Sequence, residues 1–339
     1  MTSLLNLNRL HRMYATLGLL ASAAFAPACV AEGVTGDEAA LAAGDEAELV
    51  DSESSAIING SAATAWMRQR VVSLGNCTGV IVSKNHVLTA AHCLPAVGTT
   101  KVRFYSTMNT PDTPETDVID VAFKPGVDPW NDELDDSGGN FADIAVLTLA
   151  NPIPSTSVVA SLDLHYPGDD ATGTQVGRGR HDGASNSTSL LKYATNGLYS
   201  DNVDDGYFYT NDDRINKGDS GGPIFTNGQR VSGVLWGYWW VAFAMRNKYT
   251  STEYHLNWIL DNIGYTGSGA YSQTLTNKLI DGWPYGFVSG DLRKCKYACQ
   301  HDSQCIAYSH EGGGENNCYL YDDMGDGPVT YSGFTTGIK

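Results

Sequence analysis

The feature that most constrains this 339-residue chain is the hexapeptide Gly218-Asp219-Ser220-Gly221-Gly222-Pro223. A serine hydroxyl is a weak nucleophile at neutral pH, so it needs an imidazole to accept its proton and a carboxylate to orient that imidazole. The chain offers both groups upstream, within Leu88-Thr89-Ala90-Ala91-His92-Cys93 and within Asp143-Ile144-Ala145-Val146-Leu147. A single stretch of this kind could arise by chance, whereas three in this order indicate nucleophilic catalysis by a serine.

His92 and Asp143 are therefore candidate catalytic residues together with Ser220. A buried structural histidine is the competing interpretation of His92, but its place directly before Cys93, after Thr-Ala-Ala, favours catalysis. Asp143 stands at the head of an apolar run, where a buried carboxylate needs a partner. The preceding residues 110–140 are rich in Pro, Asp and Gly and are predicted to form a loop.

Other stretches, taken with these, make the chain resemble the chymotrypsin-like (trypsin-fold) serine peptidases. The matching stretches are Ile57-Ile58-Asn59-Gly60 at the mature N-terminus, Gly177-Arg178-Gly179 with Arg in place of the family's Trp, Val234-Leu235-Trp236-Gly237 in the substrate-binding strand, and Tyr249-Thr250 and Trp258-Ile259 near the end. The resemblance implies a mainly β, two-barrel peptidase domain over residues 57–265. It also implies hydrolysis of peptide bonds in protein or peptide substrates through an acyl-enzyme intermediate, with no metal and no other cofactor.

The same resemblance assigns further roles to residues around the candidate triad. The amides of Gly218 and Ser220 are expected to form the oxyanion hole, and Cys77 is expected to pair with Cys93. After cleavage before Ile57, the new ammonium group is expected to form a buried ion pair with Asp219. This ion pair is expected to order the oxyanion loop. Removing one partner of such a buried pair costs about 3–5 kcal/mol, so the ordered loop would depend on cleavage.

The resemblance also places the substrate-binding residues, by counting from Ser220 without gaps. Arg214 falls at the base of the primary specificity pocket, Trp236 and Gly237 fall on its binding strand, and Asn247 replaces a small glycine of the wall. Because Arg214 would repel a cation, we expect no preference for Lys or Arg before the scissile bond. The adjacent Asp212 and Asp213 leave open a one-residue shift, which would place an aspartate there instead. Leu235 replaces a family serine whose hydroxyl contacts the catalytic aspartate.

The N-terminal residues are predicted to be removed before the enzyme acts. Residues 1–28 combine a charged start, a short apolar run and the small-residue site Ala26-Pro27-Ala28, as in a secretory signal peptide. Residues 29–56 form an acidic propeptide without aromatic residues, which cannot bury enough apolar surface to fold alone. Cys29 directly follows the cleavage site and resembles a lipoprotein anchor; the alternative is an unpaired leftover cysteine. We expect a secreted protein, with tethering through Cys29 as a variant of that localisation.

The C-terminal part, residues 276–339 after a linker at 266–275, is predicted to be a separate module. It contains Cys295, Cys299, Cys305 and Cys318; zinc binding competes with disulfides here, but closely spaced CxxC pairs are absent and export favours disulfides. The spacing of these cysteines resembles the PAN/apple modules, small disulfide-bonded α+β domains that bind proteins or carbohydrates. That resemblance implies the pairs Cys295–Cys318 and Cys299–Cys305.

Composition excludes one class of partner. The formal net charge of −17 argues against nucleic acid, since binding phosphates requires a basic surface. The chain is thus predicted to be a secreted serine endopeptidase with a C-terminal binding module. The alternative is a catalytically weak or inactive homologue that acts as a binding protein through that module.

Overall fold

The structure is a computed structural model that describes residues 57–94, 100–105, 112–179, 190–200, 205–226, 229–241, 244–268, 270–314 and 316–339. The predicted signal peptide, propeptide and Cys29 lie outside the described residues. Within the described ranges, every helix is too short or too polar to cross a lipid bilayer.

A closed barrel forms the first half of the peptidase. The first seven strands are β1 (Ser61–Ala62), β2 (Val71–Ser73), β3 (Thr78–Ile81), β4 (His86–Thr89), β5 (Lys101–Phe104), β6 (Asp112–Phe123) and β7 (Ala145–Leu149). The barrel closes in the order β2-β3-β4-β7-β6-β5, with antiparallel neighbours. Val72, Ile81, Val87 and Leu147 are fully buried in its interior. Apolar burial of this kind is the main source of stability in such a barrel.

Strand β6 corrects the expectation that residues 110–140 form only a loop. It pairs with β5 on one side and with β7 on the other. Thr116 and Val118 are buried, whereas Asp117 and Ile119 are exposed. This alternation is the period of a strand with one face towards a core, and the surrounding Pro, Asp and Gly residues concealed it.

A second barrel follows and carries an extra edge strand. Its strands are β8 (Thr172–Gly177), β9 (Lys192–Tyr199), β10 (Tyr207–Asn211), β11 (Pro223–Thr226), β12 (Arg230–Val241) and β13 (Ala244–Ser251). The hydrogen-bonded order is β1-β9-β10-β13-β12-β11-β8, and β8 also pairs with β9, which closes the six strands β8 to β13. The fold is thus mainly β, with two six-stranded barrels.

Short helices complete the peptidase part. They are α1 (Ala65–Arg68), a 3₁₀ turn (Ala91–Cys93) and α2 (Leu256–Asn262). The 3₁₀ turn carries His92 directly after β4, and the Cys77–Cys93 disulfide ties it to the start of β3. In α2, Leu256, Ile259 and Leu260 are fully buried, which fixes this helix against the second barrel.

The remaining residues form a five-stranded sheet with one helix, here called the C-terminal sheet (273–339). Its elements are β14 (Gln273–Ile280), β15 (Gly286–Ser289), α3 (Leu292–Gln300), β16 (Ala307–Glu311), β17 (Asn317–Tyr321) and β18 (Pro328–Ile338), with strand order β14-β18-β16-β17-β15. Disulfides join Cys295 to Cys318 and Cys299 to Cys305, so both bridges anchor α3.

Helix α3 packs the C-terminal sheet against the peptidase. The backbone N–H of Leu162 donates to the buried Tyr297 hydroxyl at 2.8 Å. Lys294 Nζ lies 3.3 Å from Glu253 Oε1, and the guanidinium of Arg230 donates to the His301 carbonyl at 2.9 Å. The apolar residues around Tyr297 belong to one buried cluster that contains residues of both the peptidase and the C-terminal sheet.

Candidate active site

His92 and Asp143 are joined by two hydrogen bonds. The backbone N–H of His92 donates to Asp143 Oδ1 at 2.9 Å, and His92 Nδ1 lies 2.7 Å from Asp143 Oδ2. The carboxylate has no exposed surface, whereas 31% of the imidazole side chain is exposed. Since an ionised carboxylate only accepts, Nδ1 carries the proton and Nε2 is left as the base.

The segment that carries Asp143 is held from several sides. Thr250 Oγ1 donates to the Asp143 carbonyl at 2.9 Å, and the N–H of Ala142 donates to the Leu134 carbonyl at 2.7 Å. His255 Nε2 lies 3.0 Å from the Phe141 carbonyl. Burial lowers the pKa of His255 to about 4, so its neutral ring donates to that carbonyl at neutral pH. The carboxylate is therefore placed by backbone contacts that His92 does not provide.

The loop with Ser220 is fixed by Thr78, at the start of β3. Thr78 N–H donates to the Ser220 carbonyl at 2.8 Å, and its hydroxyl donates to the Gly218 carbonyl at 2.8 Å. Gly221 has φ of +75°, and a Cβ there would overlap Thr89 Oγ1 and the Thr78 carbonyl. Only glycine fits this position. Sequence reasoning missed Thr78, because nothing in its immediate surroundings marks it as a contact of the Ser220 loop.

The Ser220 hydroxyl lies at the edge of β12. It donates to the Trp236 carbonyl at 3.3 Å, and His92 Nε2 lies 4.0 Å from Cys93 Sγ. In the described part of the chain, the amides of Gly218 and Ser220 donate to no protein acceptor. Gly218 has φ of +104°, a left-handed conformation that suits glycine. Two neighbouring amides in this loop are thus available to an external oxygen.

Asp219, next to the serine, is a second buried carboxylate. Its oxygens accept from Gly179 N at 2.5 Å, from Asn216 N at 2.8 Å and from the amide of Ile57. Burial raises the pKa of Asp219 to about 6, although these amides and the Arg178 cation oppose the shift. Ile57 itself is 1% exposed. The structure thus brings Ile57 and Asp219 together.

A cavity of about 250 Å³ opens beside Ser220. It is lined by Ile215, Asn216, Lys217, Ser220, Leu235, Trp236, Gly237 and Tyr238. The side chain of Leu235 packs in an apolar cluster with Phe208 and Tyr249. Asn247 is fully buried, and its Nδ2 donates to Thr210 Oγ1 at 3.1 Å. The lining is thus mixed: Ile215, Leu235 and Trp236 contribute apolar surface, and Asn216 and Lys217 contribute polar groups.

Arg214 makes its contacts with other protein groups and does not line this cavity. Its Nε donates to Asp212 Oδ1 at 2.8 Å, and its terminal nitrogen donates to the Thr195 carbonyl at 3.1 Å and to Asn196 Oδ1. Asp212 Oδ2 accepts from Gln175 Nε2 at 2.6 Å. The positive charge of Arg214 is thus balanced by a buried carboxylate. Asp213 is exposed.

One group of metal-ligating residue types occurs beside the imidazole. The ligand atoms of Cys77, His92 and Cys93 lie within 4.8 Å of one another. Both cysteines are in the Cys77–Cys93 disulfide and therefore offer no thiolate. This group does not fit a metal.

Comparisons with known proteins agree with this geometry. The Trypsin family profile matches residues 57–259. Trypsin beta of Drosophila erecta is 26% identical over 204 residues, which are 55% of this chain and 78% of the relative. Trypsin alpha of the same fly is 29% identical over 206 residues, which are 54% of this chain and 77% of the relative.

A solved structure shows the same fold. It is neuropsin, described as a serine protease expressed in the limbic system of mouse brain, with a TM-score of 0.50 and 20% identity. The match covers 60% of this chain and 99% of the neuropsin chain. The Trypsin profile match ends at residue 259, before the C-terminal sheet begins. The profile match over most of the two barrels shows that this chain belongs to the trypsin family and is a serine endopeptidase.

Proposed function

We propose that His92, Asp143 and Ser220 are the catalytic triad of this endopeptidase. In this mechanism the Ser220 hydroxyl turns from the Trp236 carbonyl to His92 Nε2 when substrate binds, since such hydrogen bonds are often long or misaligned before that. Ser220 Oγ attacks the scissile carbonyl while His92 takes its proton. His92 then gives that proton to the leaving amine, and water hydrolyses the acyl-enzyme by the same steps. The amides of Gly218 and Ser220 stabilise the oxyanion.

The observation that carries this proposal is the two-point contact between His92 and a fully buried Asp143. One bond fixes the backbone of the 3₁₀ turn and the other fixes the ring, so Nε2 is kept as the free nitrogen. A carboxylate without exposed surface needs such compensation, because an unpaired buried charge is costly.

A fluorophosphonate probe, which reacts with an activated serine, tests the proposal. The form that begins at Ile57 should be labelled and should hydrolyse a peptide substrate, whereas the same form of Ser220→Ala should do neither. Ser155→Ala, at an exposed position, is the matched control and should react like the parent. Labelling of Ser220→Ala at the parental rate would overturn the mechanism, and an unlabelled parent would favour the binding-protein alternative.

We also propose that the chain is exported as a precursor and activated by cleavage between Ala56 and Ile57. The Ile57 amide already lies against Asp219, so a free ammonium group there would meet a buried carboxylate. Because Ala56 is neither Lys nor Arg, the activating enzyme is not trypsin-like in specificity. The active form should begin at Ile57 on N-terminal sequencing. Full activity from chains with residues before Ile57 would contradict this step.

The substrate side chain before the scissile bond is proposed to be apolar. Ile215 and Leu235 line the cavity beside Ser220, while the charge of Arg214 is balanced by Asp212. The described residues that line the cavity include no carboxylate to pair with a cationic side chain. Cleavage of a peptide library should therefore occur mainly after apolar residues. Dominant cleavage after Lys or Arg would contradict the assignment.

For the C-terminal sheet we propose a binding role for a protein or carbohydrate ligand. A groove of about 420 Å³ is lined in part by Tyr319, Tyr331 and Phe334, and it carries Asp281 and Glu311. Tyr331 is 56% exposed, and its ring with the nearby carboxylates suits stacking and hydrogen bonding to either ligand class. The Ser220→Ala chain should bind immobilised polysaccharide or unfolded protein, and Tyr331→Ala should weaken that binding. Unchanged binding by the chain that carries both Ser220→Ala and Tyr331→Ala would exclude this groove as the binding site.

A further inference from the structure

The ammonium group of Lys248 lies among three aromatic rings of the peptidase. Lys248 Nζ is 3.2 Å from the ring centre of Phe141, 4.0 Å from that of Tyr207 and 5.8 Å from that of Trp236. Phe141 precedes Asp143 by two residues, and the Trp236 carbonyl accepts the Ser220 hydroxyl. The rings that hold this cation therefore belong to the segments that carry the candidate triad.

Strand β13 explains how Lys248 reaches this position. Lys248 and Thr250 are two residues apart, so their side chains lie on the same face of the strand. Thr250 on that face donates to the Asp143 carbonyl, and Lys248 covers the ring of Phe141. Lys248 is paired across the sheet with Gly237, which has no side chain to displace the ammonium group. One face of β13 thus supports both the backbone and the surroundings of Asp143.

A nearby cation would stabilise the negative charge of the buried Asp143 carboxylate. Within the residues that the structure describes, its hydrogen bonds come from His92 alone. Leu235, at the position where the resemblance places a serine hydroxyl, packs instead with Phe208 and Tyr249. In a site shielded from water, a nearby cation interacts with a carboxylate more strongly than it would in solvent.

We propose that Lys248 is a positioning residue of the catalytic centre, whose cation holds the ring of Phe141 and thereby keeps the segment that carries Asp143 in place behind His92. This inference rests on the proposed triad. Lys248 does not contact the substrate bond; it acts through the carboxylate and through the rings that pack on it. Electrostatic attraction links its ammonium group to Asp143 and also to Asp135 and Asp205. Cation–π contacts with the three rings hold the group in place.

A pH dependence follows from the surroundings of Lys248. Burial lowers its pKa to about 8, although the three carboxylates oppose the shift. The titratable groups that face it are those carboxylates and the Tyr207 phenol. As the pH rises through 8, Lys248 loses its charge and Asp143 loses its support, so kcat/KM should fall. An Ile57 ammonium freed by cleavage would titrate in the same range, and so the test must separate the two groups.

Substitution of Lys248 in the cleaved enzyme separates them. Lys248→Arg keeps a cation far above pH 8. Its ratio of kcat/KM at pH 9.5 to kcat/KM at pH 7.5 should therefore be at least about twice the ratio of the parent. Lys248→Met keeps the apolar stem and should lower kcat about tenfold at pH 7.5 with little change in KM. Lys101→Met, an exposed lysine of β5, is the charge-matched control and should leave the profile unchanged. Parental pH profiles in both Lys248 variants would overturn the proposal.

A second measurement needs no activity and no free Ile57 ammonium. In the uncleaved Ser220→Ala chain, the proton on His92 Nδ1 reports its hydrogen bond to Asp143 in an NMR spectrum. Its resonance should shift between pH 7 and pH 9 in the chain with Lys248 and stay in place in Lys248→Arg. Equal shifts in both chains would refute the role of Lys248. Failure of fluorophosphonate labelling would instead count against the triad, and so the two failures are distinguishable.

Discussion

Asp143 and Asp219 are both carboxylates in the interior of the peptidase, at 0% and 1% exposure, but their partners differ in kind. Asp143 accepts two hydrogen bonds from His92, one of them from a titratable ring. Among the described residues, Asp219 accepts from the backbone amides of Ile57, Asn216 and Gly179. Backbone amides stabilise an anion only in part, and burial still raises the pKa of Asp219 to about 6.

This difference separates two functions of a buried charge. In the proposed triad, the charge on Asp143 is balanced by His92, so it is coupled to the proton transfers of the reaction. The hydrogen bonds that Asp219 accepts from the described residues come from backbone amides, the Arg178 cation also acts on it, and cleavage before Ile57 would add an ammonium group. We therefore expect Asp219 to respond to activation and Asp143 to take part in catalysis.

The largest effect should come from Asp143→Asn. The amide cannot hold His92 in the tautomer with a free Nε2, so kcat should fall by roughly 10⁴-fold with little change in KM. Steady-state kinetics on a peptide substrate measure this, with the exposed Asp120→Asn as control. A loss below tenfold would show that Asp143 is not the orienting group.

A smaller loss should follow from Asp219→Asn in the cleaved enzyme. The amide cannot form an ion pair with the Ile57 ammonium group, so the Gly218 and Ser220 amides lose their fixed positions. Since one oxyanion donor contributes about 10²–10³ in kcat, a loss of that size is expected. The neighbouring exposed Asp213→Asn is the matched control. If both variants kept parental kcat, Asp219 would have no part in ordering the loop.

The stability of the uncleaved chain should depend on pH through Asp219. Its folded pKa of about 6 lies above the ordinary value of 3.8, so the folded state binds more protons between these values. The free energy of unfolding should therefore fall by about 3 kcal/mol as the pH rises from 3 to 7, with about 2 kcal/mol of it between pH 4 and pH 6. Urea unfolding of Ser220→Ala measures it.

Two comparisons check that Asp219 is the source of this dependence. The form that begins at Ile57 should lose most of it, because its ammonium group stabilises the ionised carboxylate. Asp219→Asn should lose it as well. A dependence that is identical in all three chains would mean that another group is responsible.

The sequence predicted the residues at these sites better than it predicted their surroundings. The three motif stretches predicted that His92, Asp143 and Ser220 lie at one site, and the structure brings His92 and Asp143 into contact; the catalytic roles of the three stay a prediction. Thr78 contacts the Ser220 loop and Lys248 contacts Phe141, and each pair is far apart in the sequence. No local sequence pattern reveals which residues of different strands will face each other. The same holds for Arg214, where counting along the chain gave a position and not the direction of the side chain.

The fold shows the same division. Two barrels followed from the resemblance, whereas β6 was hidden by a composition typical of loops, since only the alternation around Val118 marks it. The packing of α3 through Tyr297 on the peptidase depends on a long-range contact that spacing between cysteines does not predict.

Asp212 extends the comparison to a third carboxylate, and it gives the smallest expected effect on activity. Its side chain is 4% exposed and is paired with the cation of Arg214. Because that pair is complete without substrate, Arg214→Gln should change the ratio of kcat/KM for apolar and for Lys substrates by less than about threefold. It should still lower the free energy of unfolding by about 2 kcal/mol, since Asp212 keeps a buried charge without its ionic partner.

Lys217→Gln provides the contrast that makes this last test decisive. Lys217 lines the cavity beside Ser220, so its loss should reduce cleavage after acidic residues several-fold while the protein stays as stable as the parent. Library profiling and urea unfolding of both variants measure the two effects separately. A tenfold gain in cleavage after Lys or Arg in Arg214→Gln would show that its cation faces the substrate. In that case the comparison of Asp143, Asp219 and Asp212 by the kind of partner would fail for Asp212, because the cation of its partner Arg214 would belong to the substrate pocket.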